Sequence, residues 1–206
     1  MRKQSVISFL LVVLFAIAAV ANVASRNARA NTPELPAPLA IGATIPEFSL
    51  PDANGKTQSL SSLKGKNGTV LIFVAVQCPV SNAYNERMEK LAQDYKARGI
   101  AVVGINSNVA ESAEAVKAHA ATNDLSFPIL KDPSNKVADQ LGATVTPEAY
   151  VLDASNKLIY RGRIDNNRNV GQITATELRD ALEASLAGKP VSKSVATAFG
   201  CSIKRA

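Results

Sequence analysis

The chain has 206 residues, 47% of them hydrophobic, and a formal net charge of +6. That length suits one ordinary domain plus a targeting segment, and that apolar content excludes wholesale disorder. The charge does not mark a nucleic-acid binder: Arg2, Lys3, Arg26 and Arg29 precede residue 31, and the rest, with 19 basic and 17 acidic side chains, has no basic face interleaved with aromatics.

Residues 1–30 read as a secretory signal. Arg2 and Lys3 form a positive start, Val6–Ala21 is apolar apart from Ser8, and Ala28-Arg29-Ala30 has the small-x-small form that precedes a cut at Asn31. A cut after Ala21 and an uncleaved membrane anchor are the alternatives, because the apolar run borders on spanning length. Each reading exports the folded part, as a periplasmic or secreted protein, to a compartment where disulfides persist. Residues 31–40, NTPELPAPLA, form a Pro-rich linker. The domain proper runs from 41 to 188, and 189–206 is a tail carrying Cys201.

Within the domain, Phe48–Leu60 predicts a β-hairpin turning at Asn54-Gly55, and Ser61–Gly65 a short helical turn. Thr69–Val76 is an almost continuous apolar run, as expected of a central strand buried on both faces. A helix follows at once, with Val80, Tyr84, Met88, Leu91 and Tyr95 on one face and Gly99 beyond its end. Ile100–Ile105 is the next strand, Glu111–Thr122 a second helix, Phe127–Leu130 a short strand, and Ser134–Leu141 a helix capped by Ser134. Strands follow at Ala149–Leu152 and Leu158–Ile164. Thr174–Glu177 fits a capping box for a helix reaching Leu186. The last sixteen residues show no periodic element. A βαβ crossover followed by a ββα end predicts an α/β fold with a mixed central sheet and helices on both faces.

Cys78 stands where the Thr69–Val76 strand gives way to a helix. Helix N–H groups and the helix dipole favour a thiolate there and lower the thiol's pKa. The other cysteine is Cys201 and the one histidine is His119, in an Ala-rich helical segment as a surface or half-buried residue. That inventory cannot build a Cys/His zinc site within one chain, and no nucleotide-binding glycine motif is present, so neither metal nor cofactor is expected.

IGATIPEFSLPDANGKTQSLSSLKGK from Ile41, FVAVQCPVS around Cys78 and VTPEAYVLD from Val145 together resemble the thioredoxin-like superfamily over about 41–186. Within it, the chain is most similar to the peroxiredoxin-like redoxins, the alkyl hydroperoxide reductase and thiol-specific antioxidant group. The resemblance implies a three-layer thioredoxin-like fold with an N-terminal β-hairpin extension. It also implies a cis Thr146–Pro147 bond facing Cys78 and lining a groove for substrate. The chain departs from both parent patterns. Ser81 stands where thioredoxins carry the second cysteine of CxxC, and Ala75 stands three residues before Cys78, where peroxiredoxins, counting from their own cysteine, carry Thr or Ser.

The expected activity is therefore that of an exported thiol-based oxidoreductase, acting on a protein disulfide or a peroxide through Cys78. Cys201 or an external thiol would resolve the intermediate. Ser81 is placed to donate its hydroxyl to the thiolate; Arg163, a possible source of positive charge, reads rather as a solvated strand-end residue. The competing readings are a permanent Cys78–Cys201 staple, worth on the order of 4–5 kcal/mol on the chain-entropy model, a Cys201 that never meets Cys78, and a binding module that has lost its chemistry. Copper delivery is poorly supplied, with one remote histidine.

Overall fold

The computed structural model describes residues 37–205. The leader and linker residues 31–36 lie outside them. The end of the expected linker already packs on the fold, ahead of Ile41, since Leu39 N–H donates to the Leu141 carbonyl at 3.2 Å.

The hairpin forms from β1 (Ser49–Pro51) and β2 (Thr57–Ser59), paired antiparallel. Asp52 closes its turn by accepting from the Asn54 and Lys56 N–H groups. Ser59 and Ser62 form a reciprocal cap on α1 (Leu60–Leu63).

The main sheet has six strands in the order β5-β4-β3-β7-β8-β9. Its centre is β3 (Gly68–Phe73), buried along its whole length and flanked by β4 (Ile100–Asn106), parallel, and β7 (Glu148–Asp153), antiparallel. Next to these stand β5 (Ile129–Lys131), parallel to β4, and β8 (Leu158–Gly162), antiparallel to β7. The edge strand β9 (Val195–Ala196) runs parallel to β8. The sheet is mixed, as the order of elements requires.

Side-chain alternation along β3 divides the core in two. Val70, Ile72 and Val74 meet Tyr84, Met88, Leu91 and Tyr95 and, from α6 (Glu177–Leu186), Leu178 and Leu182. Leu71 and Phe73 meet Leu60, the hairpin's Phe48 and Leu50, and, from α5 (Lys136–Leu141), Val137, Ala138 and Leu141. Helices therefore cover both faces, as the pattern predicts.

Several boundaries differ from the pattern for local reasons. Strand β3 ends at Phe73: the Val74 N–H still reaches the Ile105 carbonyl of β4, but the N–H groups of Val76 and Gln77 leave the sheet for Glu111. The expected single helix after Cys78 is two: α2 (Pro79–Asn82) and α3 (Asn85–Lys96). At the break, the Ala83 carbonyl accepts from the Arg87 guanidinium, which lies over the Tyr84 ring. Helix α4 (Ala113–Thr122) starts two residues after Glu111, capped by Ser112. At the start of α5 the cap position falls not to Ser134 but to Asn135, in a left-handed conformation that asparagine tolerates, and the Asp132 carboxylate accepts from the Val137 and Ala138 N–H groups. No capping box opens α6 at Thr174; Thr176 occupies the cap position and its hydroxyl bonds Asp180. The tail, read as featureless, contains β9 and β10 (Cys201–Ser202), two residues each and too short to show a period.

Candidate active site

The site is built where three segments meet: the loop after β3, the two-residue strand β6 (Val145–Thr146), and the tail strand β10. Strand β10 pairs antiparallel with β6, setting Cys201 opposite Thr146 and Ser202 opposite Val145. The Thr146–Pro147 bond is cis. Cys78 and Cys201 line one cleft of about 230 Å³ together with Ala75, Gln77, Glu111 and Thr146. Both are free thiols; Cys78 is buried, at 3% exposure, and Cys201 half-buried.

Cys78 is the N-cap of α2. Its sulfur accepts from the Ser81 backbone N–H at 3.3 Å, and its thiol donates to the Thr146 carbonyl at 3.4 Å. Pro79 at the first helical position loses nothing by lacking an N–H. Burial acts to raise the Cys78 pKa, but the Cys201 side chain, the Ser81 N–H and Thr146 together outweigh it, and the thiol sits below its ordinary value. Cys201 moves the other way, raised chiefly by the Cys78 sulfur and then by burial. A four-residue helix carries little macrodipole, so direct hydrogen bonds do here what the sequence suggested a long helix would do.

Ser81 reaches the sulfur by a different atom from the one expected. Its backbone N–H is the donor, while its buried hydroxyl accepts from the Ala75 N–H at 3.2 Å. Arg163 is not at the cleft; its guanidinium bonds Glu177. His119 lies on α4 against Asn85 and Asn123, and burial lowers its pKa.

One residue of this site escaped the sequence reading. Glu111, 4% exposed, accepts from the Val76 N–H and the Gln77 N–H, both at 2.9 Å, and so holds the peptide groups just before Cys78. Its acid stands alone after a strand and before a serine-capped helix, and it reads as part of that helix. The only available signal was its position in that loop.

Residues 41–161 match the model of the AhpC/TSA family. The chain belongs to that family. It is 35% identical over 143 residues to the thioredoxin-like protein YneN of Bacillus subtilis (69% of this chain, 78% of that one). It is 32% identical over 144 residues to the chloroplastic peroxiredoxin Q of Sedum lineare (64% and 74%), and 30% identical over 118 residues to the B. subtilis thiol-disulfide oxidoreductase ResA (57% and 64%). Among solved structures, a hypothetical protein of Sinorhizobium meliloti 1021 superposes with a TM-score of 0.76 at 34% identity, covering 82% of this chain and 97% of that one. This AhpC/TSA chain is a redoxin whose relatives are thiol-disulfide oxidoreductases and peroxiredoxins, in keeping with oxidoreductase activity. Among the described residues no helix is long and apolar enough to cross a membrane.

Proposed function

We propose that this redoxin is an exported thiol-disulfide oxidoreductase in which Cys78 is the nucleophile and Cys201 the resolving thiol. The observation that carries this reading is the placement of Cys201 opposite Thr146, on the same short ladder whose Thr146 carbonyl accepts from Cys78. The Cys78 thiolate attacks one sulfur of a substrate disulfide, forming a mixed disulfide and releasing the other sulfur as thiolate. Cys201 gives up its proton and attacks the Cys78 sulfur, which expels the substrate's remaining thiolate and leaves a Cys78–Cys201 disulfide. Two external thiols then restore the dithiol and leave as their own disulfide: the first attacks Cys201, the more exposed sulfur, releasing Cys78, and the second attacks the mixed disulfide and releases Cys201.

A protein disulfide suits the site better than a peroxide. Ala75 gives no hydroxyl where peroxiredoxins use one, and the β6 edge beside Pro147 takes an extended strand, its own tail in this structure. Export rests on the leader over residues 1–30.

The test mixes reduced protein with hydrogen peroxide and, separately, with an oxidised peptide, comparing wild type with Cys78→Ser and Cys201→Ser. The expected result is a fast Cys78-dependent reaction with the peptide and accumulation of the mixed disulfide in Cys201→Ser. A faster reaction with peroxide would make the protein a peroxidase, and no Cys78-dependent reaction with either would leave a non-catalytic binding module.

A further inference from the structure

One wall of the cleft belongs to a set of buried polar side chains that the two-thiol chemistry does not use directly. Asn106, Asn108, Glu111 and Lys131 are each at most 8% exposed, and all stand at the C-terminal ends of β4 and β5 or in the loop after β4. The Lys131 ammonium donates to Asn106 Oδ1 at 2.7 Å and to the Asn108 carbonyl at 2.5 Å. Asn106 Nδ2 donates to Glu111 Oε2 at 2.5 Å, and Glu111 holds the N–H groups of Val76 and Gln77. On the other side, Asn108 Oδ1 accepts from the Lys204 N–H at 2.8 Å, and the Val109 N–H donates to the Lys204 carbonyl at 3.1 Å.

One end of this chain of bonds therefore grips the backbone immediately before Cys78, and the other grips the tail three residues after Cys201. A buried ammonium and a buried carboxylate are costly unless paired and fully bonded, and here each satisfies the other through Asn106. Neither charge touches a sulfur by a hydrogen bond. Their joint effect is to fix two otherwise independent segments against a common support.

We propose that Lys131 and Asn108 are positioning residues that set the approach of Cys201 to Cys78, so that forming their disulfide requires little rearrangement. Holding both thiols on one rigid support raises the effective concentration of one at the other. This rests on the two-thiol reading above. In the reaction concerned, the two thiols and one glutathione disulfide give the Cys78–Cys201 disulfide and two glutathione thiols.

The experiment equilibrates full-length wild type, Asn108→Ala, Lys131→Met and Lys131→Arg in glutathione buffers and measures the oxidised fraction by thiol trapping. Alkylation of Cys78 against pH and thermal unfolding are followed on the reduced proteins. The expected result is at least a tenfold smaller equilibrium constant for the disulfide in Asn108→Ala and Lys131→Met, partial recovery in Lys131→Arg, and a Cys78 alkylation midpoint that rises by no more than in Cys201→Ala. The rise is bounded because Ser81 and Thr146 still hold the sulfur when Cys201 moves away. If Lys131→Met does not fold, Asn108→Ala, which removes one bond at the rim, decides alone. A wild-type disulfide whose equilibrium is unmoved in the variants overturns the proposal, as does a shift that merely follows the Cys78 titration. Absence of the disulfide in the wild type is a different failure, and it removes the two-thiol reading itself.

Discussion

Thr146 serves both thiols at once: its carbonyl accepts from Cys78 at 3.4 Å, and Cys201 lies opposite it in the β10–β6 ladder. A shift of the Thr146 backbone should therefore reach the nucleophile and its partner together.

The first consequence concerns the Cys78 titration. Its thiol is held down, against burial, first by Cys201, then by the Ser81 N–H and then by its bond to Thr146. Alkylation of Cys78 should therefore reach half its maximal rate at a pH below about 8.5, the free-thiol value. Cys201→Ala should move that midpoint up, and Thr146→Val, which keeps the backbone carbonyl, should leave it in place. The buried Thr146 hydroxyl has no conventional hydrogen-bond partner, so the valine should leave thermal stability unchanged or slightly raised. Rates of iodoacetamide labelling across pH 5–10 check all three; an unchanged midpoint in Cys201→Ala would show that this neighbour does not set the thiolate.

A second prediction tests how tightly the tail is seated. A Cβ added at Gly200 would lie 1.9 Å from the Thr146 carbonyl oxygen and 2.7 Å from its carbon, both rigid backbone. Ile203 two residues beyond Cys201 is buried in the core, and Arg205 bonds Asp139 and the Ala143 carbonyl. Gly200→Ala should thus push the Cys201 strand off β6 while the rest of the tail stays attached. Disulfide formation should slow at least tenfold, with a stability loss of about 1–3 kcal/mol. Stopped-flow oxidation and denaturant unfolding measure the two; oxidation at the wild-type rate would mean that β6–β10 pairing plays no part in bringing the thiols together.

How much of this was legible beforehand varies with the physics behind each feature. Cys78 at a strand-to-helix junction, Pro147 ahead of a strand and the two-sided burial of β3 all leave local patterns. The apolar run, however, reports burial and not pairing: Val74, Ala75 and Val76 continue it although the β3 ladder stops at Phe73. Strand β10 is fixed by contacts across the fold, to Thr144, Thr146 and Asn108, and two residues carry no period. The direction of the Ser81 hydroxyl turns on the non-repeating loop between Ala75 and Ser81, and the link from Lys131 to Glu111 through Asn106 joins two separate strand ends, so no spacing rule applies to either.

Tyr84 offers a check on the first core. It is fully buried at the junction of α2 and α3, and its hydroxyl donates to Asp165 at 2.9 Å while Arg87 bonds the same carboxylate. Burial, with Asp165 adding to it, pushes the Tyr84 hydroxyl up to about 12, so it remains a neutral donor at any working pH. Tyr84→Phe removes one donor from a buried carboxylate that keeps its arginine. The expected loss is about 1–2 kcal/mol by denaturant unfolding, with Cys78 labelling unaffected. A loss of Cys78 reactivity in a folded Tyr84→Phe would show that this junction tunes the thiol.

The final prediction is acid lability at the root of the tail. Arg163, working against the burial of Glu177 and aided by Lys193, holds the Glu177 carboxyl at about 2. Because the folded-state value is depressed, the stabilisation is complete above the unfolded carboxyl's pKa of about 4.3 and is lost as pH falls from there toward 2. For a side chain only 4% exposed, this amounts to about 3 kcal/mol at most. Lys193 joins the tail ahead of β9 to α6, so protonating Glu177 loosens the segment that leads to Cys201. Unfolding midpoints measured from pH 6 to pH 2.5 should fall steeply below pH 4 in the wild type. In Glu177→Gln the protein should start less stable, and its midpoint should fall less over the same range. Equal slopes in the two proteins would place the acid-sensitive carboxylate elsewhere in the fold.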